Sequence, residues 1–295
     1  LYAEFLDRKN LMEPIQAYYK NYAVIFLDKW FKYIEEYQSN QTGKLQEIID
    51  NNPAKTAIVV GDGVSYEFAQ DIIEKVSKEY TLSKEHQYIF AGLPSETEHN
   101  MSQLYIDSGT VVKDKQDREA YLLKQNKDKL IGFIDLEKVN ETSDKEHYLI
   151  CSYKDPDKLG ETYQHKALKY FDLVAGIFAT KIEQLFKNGY QNVYLVTDHG
   201  FVLTGILDNS DKIEVDFKGN VKISERFIRS ENKQKIDTNL LIEKEVVYNN
   251  FNYSYFAKRL GPFKSTGVYG FSHGGLSPQE TIIPFLKWSN DNNTQ

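Results

Sequence analysis

The sequence predicts an α/β protein, a mostly parallel sheet flanked by helices, on three observations. The run Val193-Tyr-Leu-Val-Thr-Asp-His-Gly200 passes from apolar, partly β-branched residues straight into Asp198 and His199, as a buried parallel strand with a charged tip does. The run Lys55-Thr-Ala-Ile-Val-Val-Gly61 repeats this ahead of Asp62, and residues 147–153 repeat it ahead of Asp157. Amphipathic helical spacing over residues 64–80 and 164–188 alternates with these runs, which is the pattern of strand–helix–strand units. In such sheets ligands bind outside the carboxyl ends of the strands, so the acids and the histidine at these ends are candidates for chemistry.

In chain order, residues 1–39 carry apolar side chains at helical spacing, among them Leu11, Ile15, Tyr18, Tyr22, Leu27 and Trp30. They read as one or two helices packed on the core, with Pro14 breaking or starting one. Residues 38–43 form a polar turn, and Asn51-Asn-Pro53 another. The first clear strand ends at Asp62-Gly63, where Asp62 suits either a cap for the following helix or a ligand.

Residues 87–92 form the next strand, and Leu93-Pro-Ser-Glu-Thr-Glu-His-Asn100 leads into a helix. Ser95 or Thr97 can cap that helix, and a hydroxyl at a helix N-terminus is also well placed as a nucleophile. Residues 108–128 are a charged surface loop and helix. Strands at 130–136 and 147–153 follow. Asp157 and Glu161 are four apart, so in a helix both carboxylates share one face, where they repel each other unless a cation lies between them. A single long helix is expected over 164–188, with His165 on its first turn as a surface residue.

After residue 200 the character changes to short strand-like runs. Lys212-Ile-Glu-Val-Asp-Phe217 and Val221-Lys-Ile-Ser224 flank Lys-Gly-Asn as a hairpin would. Lys258 and Arg259 suit either solvent or an anionic substrate. Ser272-His273-Gly274-Gly275 puts a histidine on a glycine-flanked loop, where paired glycines allow close backbone approach to a ligand, and residues 281–288 are the last strand. The expected domains are an N-terminal helical segment (1–50), a core (51–200), an inserted cap (201–271) and a return to the core (272–295).

Composition narrows the chemistry. The 295 residues carry a formal net charge of −7, which argues against a broad surface for duplex DNA. The 21 tyrosines and 17 phenylalanines suit core packing or base stacking. Cys151 is the one cysteine, so neither a disulfide nor a thiolate cluster can form within the chain. A metal would be held by carboxylates, imidazoles and hydroxyls. No apolar run reaches membrane-spanning length and no signal peptide is evident, which makes the cytoplasm the default. The chain opens at Leu1 in the middle of a helical pattern and reads as a piece of a longer protein.

With the strand ends brought together, two sets emerge: Asp62, Thr97, Asp198 and His199, and Asp157, Glu161 and His273. Oxygen-rich sets with one imidazole each suit zinc or manganese better than calcium or magnesium. Two divalent ions can clamp a phosphoryl group between attacking and leaving oxygens.

These motifs resemble the PglZ domain of the alkaline phosphatase superfamily. The matching pieces are Val-Val-Gly-Asp62-Gly, Leu-Pro-Ser-Glu-Thr97, Asp157-Lys-Leu-Gly-Glu161, Val-Thr-Asp198-His199-Gly and Ser-His273-Gly-Gly-Leu-Ser-Pro-Gln-Glu280, in the superfamily's chain order. The resemblance implies an alkaline-phosphatase-like sheet with an inserted cap, two divalent ions with zinc ahead of manganese, and a threonine or serine nucleophile. Its Pro-x-x-Thr pattern favours Thr97 over Ser95, a choice that spacing alone does not make.

The resemblance also implies a phosphodiester substrate, nucleotide or short nucleic acid, in bacterial phage defence, with other defence-system subunits as partners. Phosphodiesterase relatives often have histidine where this chain has Glu161, a departure that turns the first site toward manganese or weakens it. The rival from another class is a scaffold that keeps the fold to bind partner subunits. A sulfatase would need a cysteine or serine in its own modification motif, and Cys151 lies in none. A phosphomutase stays open.

Overall fold

β1 (Thr56–Gly61) is buried along its whole length, because helices cover both faces of the sheet it centres. The computed structural model describes residues 8–85, 87–204, 207–264 and 270–290, without the side chains of Lys9, Asp155, Glu161, Gln164 and His165. Along the chain, α1 (Lys9–Trp30) and α2 (Lys44–Asn51) precede β1, and α3 (Tyr66–Lys75), β2 (Thr81–Leu82), β3 (Tyr88–Phe90), α4 (Thr97–Tyr105) and α5 (Lys115–Gln125) follow it. Then come β4 (Ile131–Asp135), β5 (Tyr148–Tyr153), α6 (Asp155–Tyr163), α7 (Phe171–Lys187) and β6 (Asn192–Thr197). β7 (Val221–Ile223), β8 (Phe227–Ser230), β9 (Leu241–Tyr248) and β10 (Phe251–Ala257) lead to α8 (Pro278–Thr281) and β11 (Ile282–Ser289).

The large sheet has the order β2-β11-β6-β1-β5-β4, with β3 also on β11. β6, β1, β5 and β4 run parallel, and β11 returns antiparallel to β6. Alternate residues of β1 face opposite layers, as the period of a strand requires. Ala57 and Val59 join Phe68, Ile72, Phe178 and Ile182 of α3 and α7. Ile58 and Val60 join Leu45, Ile48, Leu104 and Leu122 of α2, α4 and α5. In register, Gly61 of β1 lies beside Tyr153 of β5 and Thr197 of β6. The residues just past these three strands therefore come out at one edge of the sheet.

β7-β8-β10-β9 form a separate antiparallel sheet. Two ion pairs, one fully and one partly buried, tie it to the large sheet's elements. Arg226 holds Glu280 of α8 at 3.1 Å, and Arg229 holds Glu96, the N-cap residue just before α4. Among the described residues, no helix is long and apolar enough to cross a membrane.

Four local expectations change. α1 packs Ala23 and Leu27 against Val202, Phe227, Phe256 and Leu276, so it covers the second sheet rather than the core of the first. It also runs straight through Pro14, since the lost hydrogen bond is a single one near the helix start. Residues 164–188 are not one helix: Gln164–Tyr170 is a 3₁₀ turn, and α7 begins only at Phe171. Residues 212–217 pair with no strand, and the hairpin is β7 with β8. The alternation in that stretch is nevertheless physical, because Ile213, Val215 and Phe217 pack on Ile228 and Tyr255 without a backbone ladder.

Candidate metal centre

Each tip residue is set by the turn that follows its strand. After β1 the chain turns at Gly63, whose φ of +70° lies in the left-handed region that favours glycine. The Gly63 N–H donates to Asp198 Oδ1 at 3.0 Å. An added Cβ there would lie 3.2 Å from the Asp157 Cβ and 3.5 Å from the His199 ring. Asp62 does not cap α3, because Ser65 does, accepting from the Phe68 N–H at 3.1 Å. That leaves the Asp62 carboxylate free for the site.

After β6, Asp198 and His199 are fully buried. Asp198 Oδ1 accepts from the N–H groups of Gly63 and His199, while Oδ2 is buried with no hydrogen-bond partner. Oδ2 lies 3.3 Å from His199 Nε2. His199 Nδ1 lies 3.0 Å from the Gly200 carbonyl oxygen. A carbonyl only accepts, so Nδ1 carries the proton and Nε2 presents a lone pair. Thr97 Oγ1 sits 2.9 Å from that nitrogen and 3.5 Å from Asp62 Oδ1.

His273 is arranged in the same way. Its Nδ1 faces the Ser95 carbonyl oxygen at 3.0 Å, and its Nε2 lies 3.8 Å from Asp157 Oδ1. The structure thus brings Asp62, Thr97, Asp157, Asp198, His199 and His273 together. Glu161 lies on α6, but its side chain, like that of His165, is outside the described residues.

Without a cation the crowded carboxyls are driven toward their protonated forms. Burial, then Asp198 and Asp157, push the Asp62 carboxyl up to about 8. Burial pushes Asp198 up to about 7. Burial, with His273 beside it, pulls His199 down to about 3, so this ring is neutral. For His273 desolvation works downward, but Asp157 and the Ser95 carbonyl outweigh it and the pKa is raised. Two sets of ligand atoms, from Asp62, Asp198 and His199 and from Asp157, His199 and His273, each lie within 4.8 Å of one another. The orphaned Asp198 Oδ2, three carboxylates and two outward lone pairs fit a pair of divalent cations.

Several assignments from sequence change here. Ser95 is fully buried, donates to the Gly275 carbonyl at 2.8 Å and accepts from the Gly274 N–H at 3.1 Å. It is committed to the histidine loop, and neither it nor Thr97 caps α4, whose N-cap is Glu96 with no side-chain cap bond. The paired glycines admit protein rather than ligand, since a Cβ on Gly274 would meet the Phe227 ring and one on Gly275 the Glu280 carboxylate. Lys258 donates to the Thr238 carbonyl, and Arg259 pairs with Asp28.

Two positioning residues escaped sequence reading. Gln41, in what reads as a polar turn, is fully buried and donates to the carbonyls of Thr197 and Asp198 at 3.2 and 2.7 Å while accepting from the Gly92 N–H. Asn100 donates to the same Asp198 carbonyl at 3.1 Å. Nothing local marks Gln41. Asn100 is detectable only as a polar residue on the inward face of α4.

Comparison with known proteins agrees with this geometry. The family described as the BREX system PglZ alkaline phosphatase-like domain matches residues 42–182 and 157–288. The alkaline phosphatase-like protein PglZ of Bacillus cereus (strain H3081.97) is 22% identical over 268 residues, which cover 82% of this chain and 31% of that protein. The chain thus spans about a third of that relative's length. Murine ectonucleotide pyrophosphatase/phosphodiesterase 5, solved in an inactive form in complex with AMP, superposes with a TM-score of 0.51 at 12% identity, covering 79% of this chain and 87% of its own. That likeness shows an alkaline phosphatase fold.

Proposed function

The chain belongs to the PglZ family, the alkaline phosphatase-like domain of BREX systems, and from that membership we propose that it is a metal-dependent phosphodiesterase acting on nucleotides or oligonucleotides in phage defence. Thr97 is the nucleophile. Asp62, Thr97, Asp198 and His199 hold one divalent ion and Asp157, Glu161 and His273 the other, with zinc preferred and manganese accepted. The observation that carries this reading is the unpartnered, buried Asp198 Oδ2 beside a His199 nitrogen that also meets the Thr97 hydroxyl. A buried carboxylate oxygen without a partner is costly, and a cation there removes the cost. The murine neighbour adds support, since it was captured with AMP and its inactive form has alanine in place of a threonine.

Two bound divalent ions would supply charge stabilisation for the attacking and leaving oxygens. The residues of the chain account for the rest. Thr97 opens α4, so the first N–H groups of that helix, which have no partner within it, face an anion beside the hydroxyl. Thr97 Oγ1 bonds to phosphorus as the bond to the leaving alcohol breaks, and the hydroxyl proton ends on that alcohol. The phosphorus then joins Thr97 to the remaining alcohol as a diester, and water attacks it, which restores the threonine hydroxyl and releases a phosphomonoester. The Gly200 and Ser95 carbonyls hold His199 and His273 with their Nε2 atoms inward throughout.

The test is hydrolysis of bis(4-nitrophenyl) phosphate and of 4-nitrophenyl phosphate with zinc or manganese present. Wild type is expected to cleave the diester, and Thr97→Ala to lose roughly 1,000-fold or more in kcat. If the metal-loaded wild type turns over neither ester, the fold is kept as a scaffold for partner subunits of a defence complex and the enzymatic reading fails.

A further inference from the structure

A cleft of about 760 Å³ opens beside Thr97 along the first turn of α5. A recess of about 80 Å³, lined by Asp62, Thr97 and Arg118, adjoins it. Lys115, Arg118 and Lys154 line both spaces. Sequence reading takes this stretch as a solvated charged surface, and a solvated surface pairs or hydrates its charges.

Among the described residues, two of the cations have no carboxylate within ion-pair distance. Lys113, on the outer cleft, meets Glu98 at 2.9 Å, and Lys115 meets Asp135 at 3.4 Å and Glu119 at 3.7 Å. Arg118 instead donates only to backbone, to the carbonyls of Val112 at 3.2 Å and of Lys113, and its Nε is buried without a hydrogen-bond partner. The Lys154 side chain, exposed just past β5, makes no hydrogen bond or ion pair among the described residues, and Asp62 is a charge it acts on. The acids Asp114 and Asp117 line the outer cleft but not the recess.

Cations without a carboxylate partner next to a hydroxyl nucleophile suit an anion, and the outer cleft is far larger than one phosphoryl group, falling in the range of sites that enclose a whole small ligand. Resting on the phosphodiesterase reading above, we propose that Arg118 and Lys154 form a subsite for a second phosphate group of the same substrate. The chemistry is shared by two sources, a polyphosphate chain on one nucleoside and the next phosphate along an oligonucleotide. In either case the site selects substrates with more than one phosphate over a lone phosphate ester.

The experiment is calorimetric titration of the metal-loaded Thr97→Ala protein, in which turnover is blocked, with two ligand pairs. ADP against AMP reports a polyphosphate, and thymidine 3′,5′-bisphosphate against thymidine 5′-monophosphate reports a nucleic acid strand. In at least one pair the ligand with the extra phosphate is expected to bind about tenfold tighter or more. Lys154→Ala or Arg118→Gln, added to Thr97→Ala, brings that ratio close to one, Arg118→Lys restores it, and Lys258→Ala just past β10 leaves it unchanged.

Lys154 is exposed, so its substitution reads the site even where Arg118→Gln fails to fold. A ratio near one in both pairs, or a ratio that survives Lys154→Ala, overturns the subsite. The ratio is read by binding alone. Wild type that hydrolyses no ester while the ratio behaves as described would overturn the enzymatic reading and leave the anion subsite standing.

Discussion

His199 and His273 lie face to face, ring centroids 3.8 Å apart and planes within 7° of parallel. One ring comes from the carboxyl end of β6 and the other from the loop before α8, and each spends its Nδ1 proton on a backbone carbonyl. The stack packs the imidazoles closely while both Nε2 lone pairs stay available, an arrangement suited to adjacent ligands of two cations.

Removing one ring is therefore expected to remove one ion. His273→Ala should reduce bound zinc from two equivalents to one, measured by elemental analysis after dialysis. Retention of two equivalents would exclude His273 as a ligand.

Asp198→Asn keeps an acceptor for the Gly63 and His199 N–H groups and places an amide where the unpartnered Oδ2 was, within reach of the His199 lone pair. The metal-free variant should be more stable than wild type by about 1–2 kcal/mol, and its affinity for zinc should fall on the order of 100-fold. Chemical denaturation and metal competition measure the two effects. A metal-free variant less stable than wild type would contradict the electrostatic account of the site.

Proton linkage gives a pH signature. The carboxyls of Asp62 and Asp198 are raised to about 8 and about 7, so between the unfolded carboxylate range and these values the folded, metal-free protein binds more protons than the unfolded chain. Its stability should therefore fall as pH rises from about 4 to about 8. Zinc must displace those protons, so uptake at pH 7 should release protons, and calorimetry in buffers of different ionisation enthalpy would detect this. Uptake without proton release would mean that both carboxylates are already ionised.

Glu280 is fully buried and accepts from Arg226, the Gly275 N–H and both the N–H and hydroxyl of Ser277. Burial opposes its ionisation, but Arg226 and these hydrogen bonds hold its carboxyl below the usual range. The stability from this pair is present above the unfolded glutamate pKa, near 4.3, and is lost as pH falls through the lower folded value. Glu280→Ala leaves a buried guanidinium without its counter-charge and should cost about 3–5 kcal/mol, read from urea denaturation at pH 7. A loss under about 1 kcal/mol would show that the pair does not tie the second sheet to α8.

Gln41→Ala removes a donor from the Thr197 and Asp198 carbonyls, the second of which keeps Asn100, and takes the acceptor from the Gly92 N–H. The expected cost is about 1–3 kcal/mol in stability, with kcat on the diester falling more than KM rises, because the lost contacts position Asp198 rather than substrate. An unchanged kcat would show that the β6 tip holds its geometry without Gln41.

Periodicity and strand tips sufficed to identify the α/β class, the parallel strands and the acids and the one histidine at the strand tips, because a strand buried on both faces must be apolar until it leaves the sheet. By themselves they also named Asp62, Asp198 and His199 before any geometry was known. They did not reveal that Ser95 serves the histidine loop, that Gln41 is a buried support, or that α1 covers the second sheet. Each of those depends on a partner far away in sequence.

What the sequence by itself determined is which residues end the strands and which faces are apolar, since both follow from local chemistry and spacing. Only the tertiary structure decided that His199 and His273 share one stack and that, among the described residues, one oxygen of Asp198 is left without a partner and Arg118 and Lys154 have no carboxylate partner beside Thr97. Those are facts of distance between segments remote along the chain, and a linear pattern carries no distances.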